Sequence, residues 1–94
     1  MDFKGKVAVV TGGAGGIGRA ACVAFARHGA RVVVVDREAP GGEETARLAR
    51  EAGGDARFVR ADVTKSAEVR GYVETALDAY GGIHFFFNNA GIEG

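Results

Sequence analysis

Four short runs of β-branched and aromatic residues punctuate the chain, at residues 7–10 ("VAVV"), 31–36 ("RVVVVD"), 56–62 ("ARFVRAD") and 83–87 ("IHFFF"). At least two are continuously apolar, the pattern of strands covered on both faces. Between them the apolar positions shift to helical spacing. Residues 17–28 place Ile17, Ala20, Ala21, Ala24 and Phe25 near one face, with Gly29 as a C-terminal stop. Residues 42–52 carry a face of Ala46, Leu48 and Ala49 and end in Gly53 and Gly54. Residues 65–80 set Val69, Val73 and Leu77 at four-residue steps, with Thr64 as the expected N-cap and Gly81 and Gly82 beyond. Strand, helix and strand repeated three times predict βαβ crossovers and an α/β fold with a doubly wound parallel sheet of about four strands and three helices. Right-handed crossovers place the first two helices on one face, and the third on the other if the chain reverses direction there.

Length and composition narrow the class. Ninety-four residues make one small domain at most. Twelve basic residues balance twelve acidic ones, so there is no basic excess to grip nucleic acid phosphates. Cys22 is the only cysteine, which excludes a disulfide framework and a thiolate metal site and reads as an inert core thiol. His28 and His84 stand far apart without nearby ligand spacing, so no metal is expected. The start "MDFKGK" lacks the apolar stretch of a signal peptide, and no run reaches the length of a membrane span. A soluble, cytoplasmic protein is the expectation.

The candidate chemistry lies directly after the first strand. Gly12, Gly13, Gly15, Gly16 and Gly18 fill five of seven positions, where a helix N-terminus offers unpaired N–H groups and partial positive charge to a phosphate. Two dinucleotide patterns fit these letters, one on Gly13, Gly15 and Gly18, the other on Thr11, Gly12, Gly16 and Gly18. A tight strand-to-helix turn also calls for glycine. Asp36 closes the second strand eighteen residues after Gly18, where a carboxylate can accept from both ribose hydroxyls of an adenosine or simply start a turn. Asp62 repeats that logic after the third strand, with Val63 placed to flank an adenine ring, or else caps a helix or turn. A nucleoside triphosphatase loop fails, because Arg19 and Ala20 stand where a lysine and a hydroxyl are required.

With "TGGAGGIG" (11–18), Asp36, "ADV" (61–63) and "NNAG" (88–91) in order, the chain resembles the short-chain dehydrogenase/reductase family from about Lys4 to Ile92. The resemblance implies a Rossmann fold and a nicotinamide dinucleotide cofactor. It assigns the pyrophosphate to Gly12, Gly13, Gly15, Gly16, Ile17 and Gly18, and the adenosine ribose to Asp36. Asp62 and Val63 fall at the adenine, and Asn89, Ala90 and Gly91 at the central ribose region, while Asn88 ties the fourth strand to its neighbours. Asp36 favours NAD over NADP, with Arg37 as a counterweight able to grip a 2′-phosphate. His84, where the family often has Asp, reads as a surface or capping residue, and Phe85, Phe86 and Phe87 as core packing.

The family's catalytic residues are a Tyr with Lys four positions later, helped by a Ser. Here Ala76 follows Tyr72 at that spacing and His84 follows Tyr80, so no catalytic residue is assigned. The expectation is the N-terminal dinucleotide-binding part of a Rossmann domain, lacking its catalytic half. Such a part should self-associate or pair with a C-terminal half. Alternatives are a non-catalytic nucleotide-binding module and an S-adenosylmethionine-dependent methyltransferase. The latter prefers an acidic residue where Thr11 stands and gives "NNAG" no role.

Overall fold

A computed structural model describes residues 2–89. Val7–Thr11 (β1), Gly16–Arg27 (α1), Arg31–Asp36 (β2), Ala39–Glu51 (α2), Asp55–Arg60 (β3), Ser66–Tyr80 (α3) and Phe85–Asn88 (β4) follow in turn. All strand pairs are parallel, in the order β3-β2-β1-β4. The register sets Val9 beside Val33 on one side and Phe86 on the other.

Alternation along the valine-rich strands feeds two cores. Val10, Val32 and Val34 pack with Cys22, Ala26, Ala46 and Ala49, which belong to α1 and α2. Val9, Val33 and Val35 pack with Tyr72 and Ala76 of α3. The helices therefore divide as the crossover rule requires. The chain lays β2 and β3 to one side of β1, then returns to lay β4 on the other. The sheet thus reverses its order between β1 and β4, and ligands of doubly wound sheets usually bind at the carboxyl ends of the strands beside such a reversal.

The inner faces of the helices differ in part from those expected. In α1 they are Gly18, Cys22 and Ala26; the expected Ala21 and Phe25 pack half-buried against that core, while Ile17 is 62% exposed and Ala20 and Ala24 face outward. In α3 they are Tyr72 and Ala76; the expected Val69 and Val73 pack half-buried against the same core, and Leu77 is left 47% exposed. The helices α1 and α2, lying close on the sheet, bury small residues, so large apolar side chains alone do not mark their inward stripe. In α2, Gly42 and Thr45 join Ala46 and Ala49 inside, and the ring of Phe58 occupies the space a Gly42 side chain would need. This helix begins three residues earlier than expected, because Pro40 fits a first turn whose N–H groups need no intrahelical partner.

Thr64 is not the N-cap of α3. Lys65 holds that position, and Thr64 instead donates through its amide and hydroxyl to Asp62 Oδ1, at 2.9 and 2.6 Å. His84 precedes β4 and brackets the start of β1, its Nδ1 accepting from the Val7 amide at 2.9 Å while its own amide donates to the Val7 carbonyl at 2.8 Å. The phenylalanines divide as strand alternation dictates. Phe85 packs with Phe3 and Phe25, Phe87 joins the α1/α2 core, and Phe86 is 47% exposed beside Tyr72.

Candidate functional site

Gly12 turns the chain out of β1 with φ +68°, a left-handed conformation that disfavours other residues. Gly13 follows with its amide bonded to the Val35 carbonyl at 3.0 Å, and a Cβ there would stand 2.5 Å from Val34 Cγ1. Gly18 lies against the backbone of Gly12, where a side chain has no room. These three glycines let strand, loop and helix close on one another. Gly16 is different: it is exposed, and a Cβ on it would meet nothing within 4 Å. Gly15 is the N-cap of α1, with no side-chain cap bond and no acidic residue in the first turn. The positive end of the helix is thus left open beside Gly16 and the exposed Ile17.

Beside this loop lies a cavity of about 200 Å³ lined by Gly12, Asp36, Arg37, Ala61, Asp62, Val63 and Thr64. Three loops, after β1, β2 and β3, meet there. Asp36 Oδ2 accepts from the Ala14 amide at 3.0 Å and Oδ1 from the Glu38 amide at 2.9 Å. A carboxylate oxygen accepts about two hydrogen bonds, so each keeps one acceptor position free. The hydroxyl and amide of Thr64 hold the Asp62 carboxyl below the usual carboxylate range, keeping it ionised. Glu68 Oε1 accepts from the Asp62 amide at 2.9 Å and fixes the turn that carries it.

The fourth strand is tied in by side chains. Thr11 Oγ1 donates to Asn88 Oδ1 at 2.9 Å and accepts from the Asn89 amide at 3.0 Å. Asn89 is buried and its Nδ2 reaches the Gly12 carbonyl at 3.5 Å. Asn89 therefore borders the glycine loop on the side opposite Asp36. Ala90 and Gly91 lie outside the described residues. His84, at the amino end of β4, stands at the opposite end of the sheet from the cavity.

Thr45, which no motif marks, and Arg19, whose place in the sequence only excludes a nucleoside triphosphatase loop, support the loop from behind. The Thr45 hydroxyl donates to the Gly13 carbonyl at 2.7 Å, and Arg19 Nε donates to Thr45 Oγ1 at 3.0 Å. The one hint in the sequence is a threonine in a helix face otherwise built of glycine and alanine. Among the described residues, no group of three or more His, Cys, Asp or Glu side chains is placed to hold a metal ion, and no helix is long and apolar enough to cross a membrane.

Comparison with known proteins places this geometry in a family. Residues 6–94 match the short chain dehydrogenase family. An uncharacterized oxidoreductase, YuxG, of Bacillus subtilis (strain 168) is 46% identical over 93 residues, spanning 97% of this chain and 14% of the relative. The sex determination protein tasselseed-2 of Zea mays is 48% identical over 93 residues, covering 98% of this chain and 27% of the relative. Among solved structures, hydroxysteroid dehydrogenase from Escherichia coli superposes with a TM-score of 0.91 at 32% identity, over 95% of this chain and 38% of that one. The chain spans well under half the length of these relatives. Its sheet order, its glycine loop and this match over nearly its whole length make it a member of the short chain dehydrogenase family.

Proposed function

We propose that these residues form the cofactor-binding part of an NAD(H)-dependent oxidoreductase that moves hydride between nicotinamide and an alcohol or carbonyl. The observation that carries the reading is Asp36: each carboxylate oxygen is anchored by one backbone amide and retains one acceptor position, beside a cavity shared with Gly12, Asp62 and Val63. Two free acceptor positions match the two hydroxyls of an unphosphorylated adenosine ribose.

The residues fit the group. Gly16, with open space where a side chain would project, and the uncapped start of α1 would receive the pyrophosphate. Gly12, Gly13, Gly15, Ile17 and Gly18 shape the same loop. Asp62 and Val63 would border the adenine, and Asn89, followed by Ala90 and Gly91, the central ribose region. The nicotinamide, when bound, supplies the hydride donor or acceptor. What the chain's own residues do is bind and orient. None of the 94 residues belongs to a Tyr-x-x-x-Lys pair, so no proton-transfer role is assigned to them. Membership in a dehydrogenase family leaves the methyltransferase alternative without support.

A 2′-phosphate would meet Asp36 with like charge. Arg37 is exposed beside it and supplies the only opposing pull among the cavity-lining residues. Calorimetric titration should therefore give tighter binding of NADH than of NADPH, and Asp36→Ala should narrow or invert that order. Equal or tighter binding of NADPH by the unaltered chain contradicts the reading.

A further inference from the structure

We infer that Thr45 is a positioning residue for the Asp36 carboxylate, acting through the single peptide unit between Gly13 and Ala14. The inference rests on the cofactor reading given above and names a determinant of its specificity outside the cavity. Thr45 is fully buried on the inner face of α2. Its hydroxyl donates to the Gly13 carbonyl at 2.7 Å, and the Ala14 amide donates to Asp36 Oδ2 at 3.0 Å. That carbonyl and that amide are two ends of one planar trans peptide and point in opposite directions. Thr45 therefore holds one edge of the plane and Asp36 is held by the other. Rotation of the plane breaks both bonds together. The glycine at its start lacks the Cβ that would restrict such rotation.

Arg19 decides where the hydroxyl proton goes. Thr45 Oγ1 has two carbonyl acceptors in reach, Gly13 at 2.7 Å and Gly41 at 3.1 Å, but only one proton to give. Arg19 donates through a terminal guanidinium nitrogen to the Gly41 carbonyl at 3.1 Å and through Nε to Thr45 Oγ1 at 3.0 Å. Gly41 is thereby served and the threonine proton is left for Gly13. A cationic donor on the hydroxyl also polarises it and strengthens its own donation. The brace runs from α1 through α2 to the loop and ends on the carboxylate that lines the cavity.

Its consequence is selective. Two hydrogen bonds to ribose hydroxyls need the carboxylate in one orientation, whereas repulsion of a 2′-phosphate acts through charge and depends less on angle. Loosening the Gly13–Ala14 peptide should cost NADH binding more than NADPH binding.

The test uses Thr45→Val, which removes the hydroxyl at nearly constant shape, and Thr45→Ser, which keeps it. Amide hydrogen exchange at Ala14 is measured by NMR, and both variants are titrated with NADH and NADPH. In Thr45→Val the Ala14 amide should exchange about tenfold faster and the preference for NADH should narrow by about tenfold. Thr45→Ser should behave as the parent does. Unchanged exchange at Ala14 in Thr45→Val overturns the inference. So does an equal weakening of both cofactors, the pattern a merely structural threonine would give. If the parent itself does not prefer NADH, the cofactor reading falls, while the exchange rates at Ala14 still decide whether the brace exists. Should Thr45→Val fail to fold, Arg19→Met takes its place: intermediate losses in both measurements support the brace, and parental values overturn it.

Discussion

Gly18, the third residue of α1, is pressed so closely on Gly12 that a Cβ on it would stand 2.1 Å from the Gly12 carbonyl oxygen. Gly16, two residues earlier, borders open space. One loop thus holds glycines of two kinds, one closing the fold and one leaving room at its surface.

Alanine at the two positions should separate these roles. Gly18→Ala forces the strand and helix apart and should destabilise the chain by about 1–3 kcal/mol, read as a lower midpoint in urea. Gly16→Ala should leave the stability within about 0.5 kcal/mol of the parent, yet lower NADH affinity by about tenfold. Loss of stability in Gly16→Ala, or full cofactor affinity in it, would remove the pyrophosphate from this position.

Cys22 is a second probe of the same packing. It has no exposed surface between α1 and the sheet, and burial pushes its thiol up to about 12. Thiolate is the reactive form, so the folded chain should resist alkylation at pH 8. Labelling should appear only as urea opens the structure, with the same midpoint as the loss of helical circular dichroism. Rapid labelling without denaturant would show that α1 lies more loosely on the sheet.

Much of this architecture was legible before the structure. The β-branched runs mark all four strands, and the glycines after each helix mark where it stops, because both signals act locally. The inward faces were legible only in part, for Ala21, Phe25, Ala46, Ala49, Val69 and Val73 reach the cores as expected. Leu77 and Ile17 are the large apolar residues a helical pattern favours, yet they face solvent, since closeness to a valine sheet selects Gly18, Cys22, Ala26 and Ala76 instead. Asp36 stood out by its distance from the glycines. Thr45 did not, because its bond to Gly13 spans 32 residues and has no local signature. Thr64 has a cap residue's chemistry, but Asp62 two positions earlier takes its hydroxyl.

The exposed edge of the sheet carries its own expectation. Among the described strands β4 pairs only with β1, and Phe86 and Leu77 are each 47% exposed. An unpaired strand edge beside exposed apolar side chains favours association. The 94-residue chain, purified as it stands, should sediment as a mixture larger than a monomer, and Phe86→Lys should shift it toward the monomer. A single monomeric boundary at all concentrations would contradict this.

The central claim is that the glycine loop, Asp36 and the turn after β3 receive one dinucleotide. The most direct measurement is a titration of the isotopically labelled chain with NAD⁺, followed amide by amide in two-dimensional NMR. Saturable shifts are predicted at Gly12, Ala14, Gly16, Ile17, Asp36, Asp62 and Val63, with His84 and the amino ends of the strands unmoved. Saturable shifts centred away from the cavity, or none at millimolar NAD⁺, would contradict it.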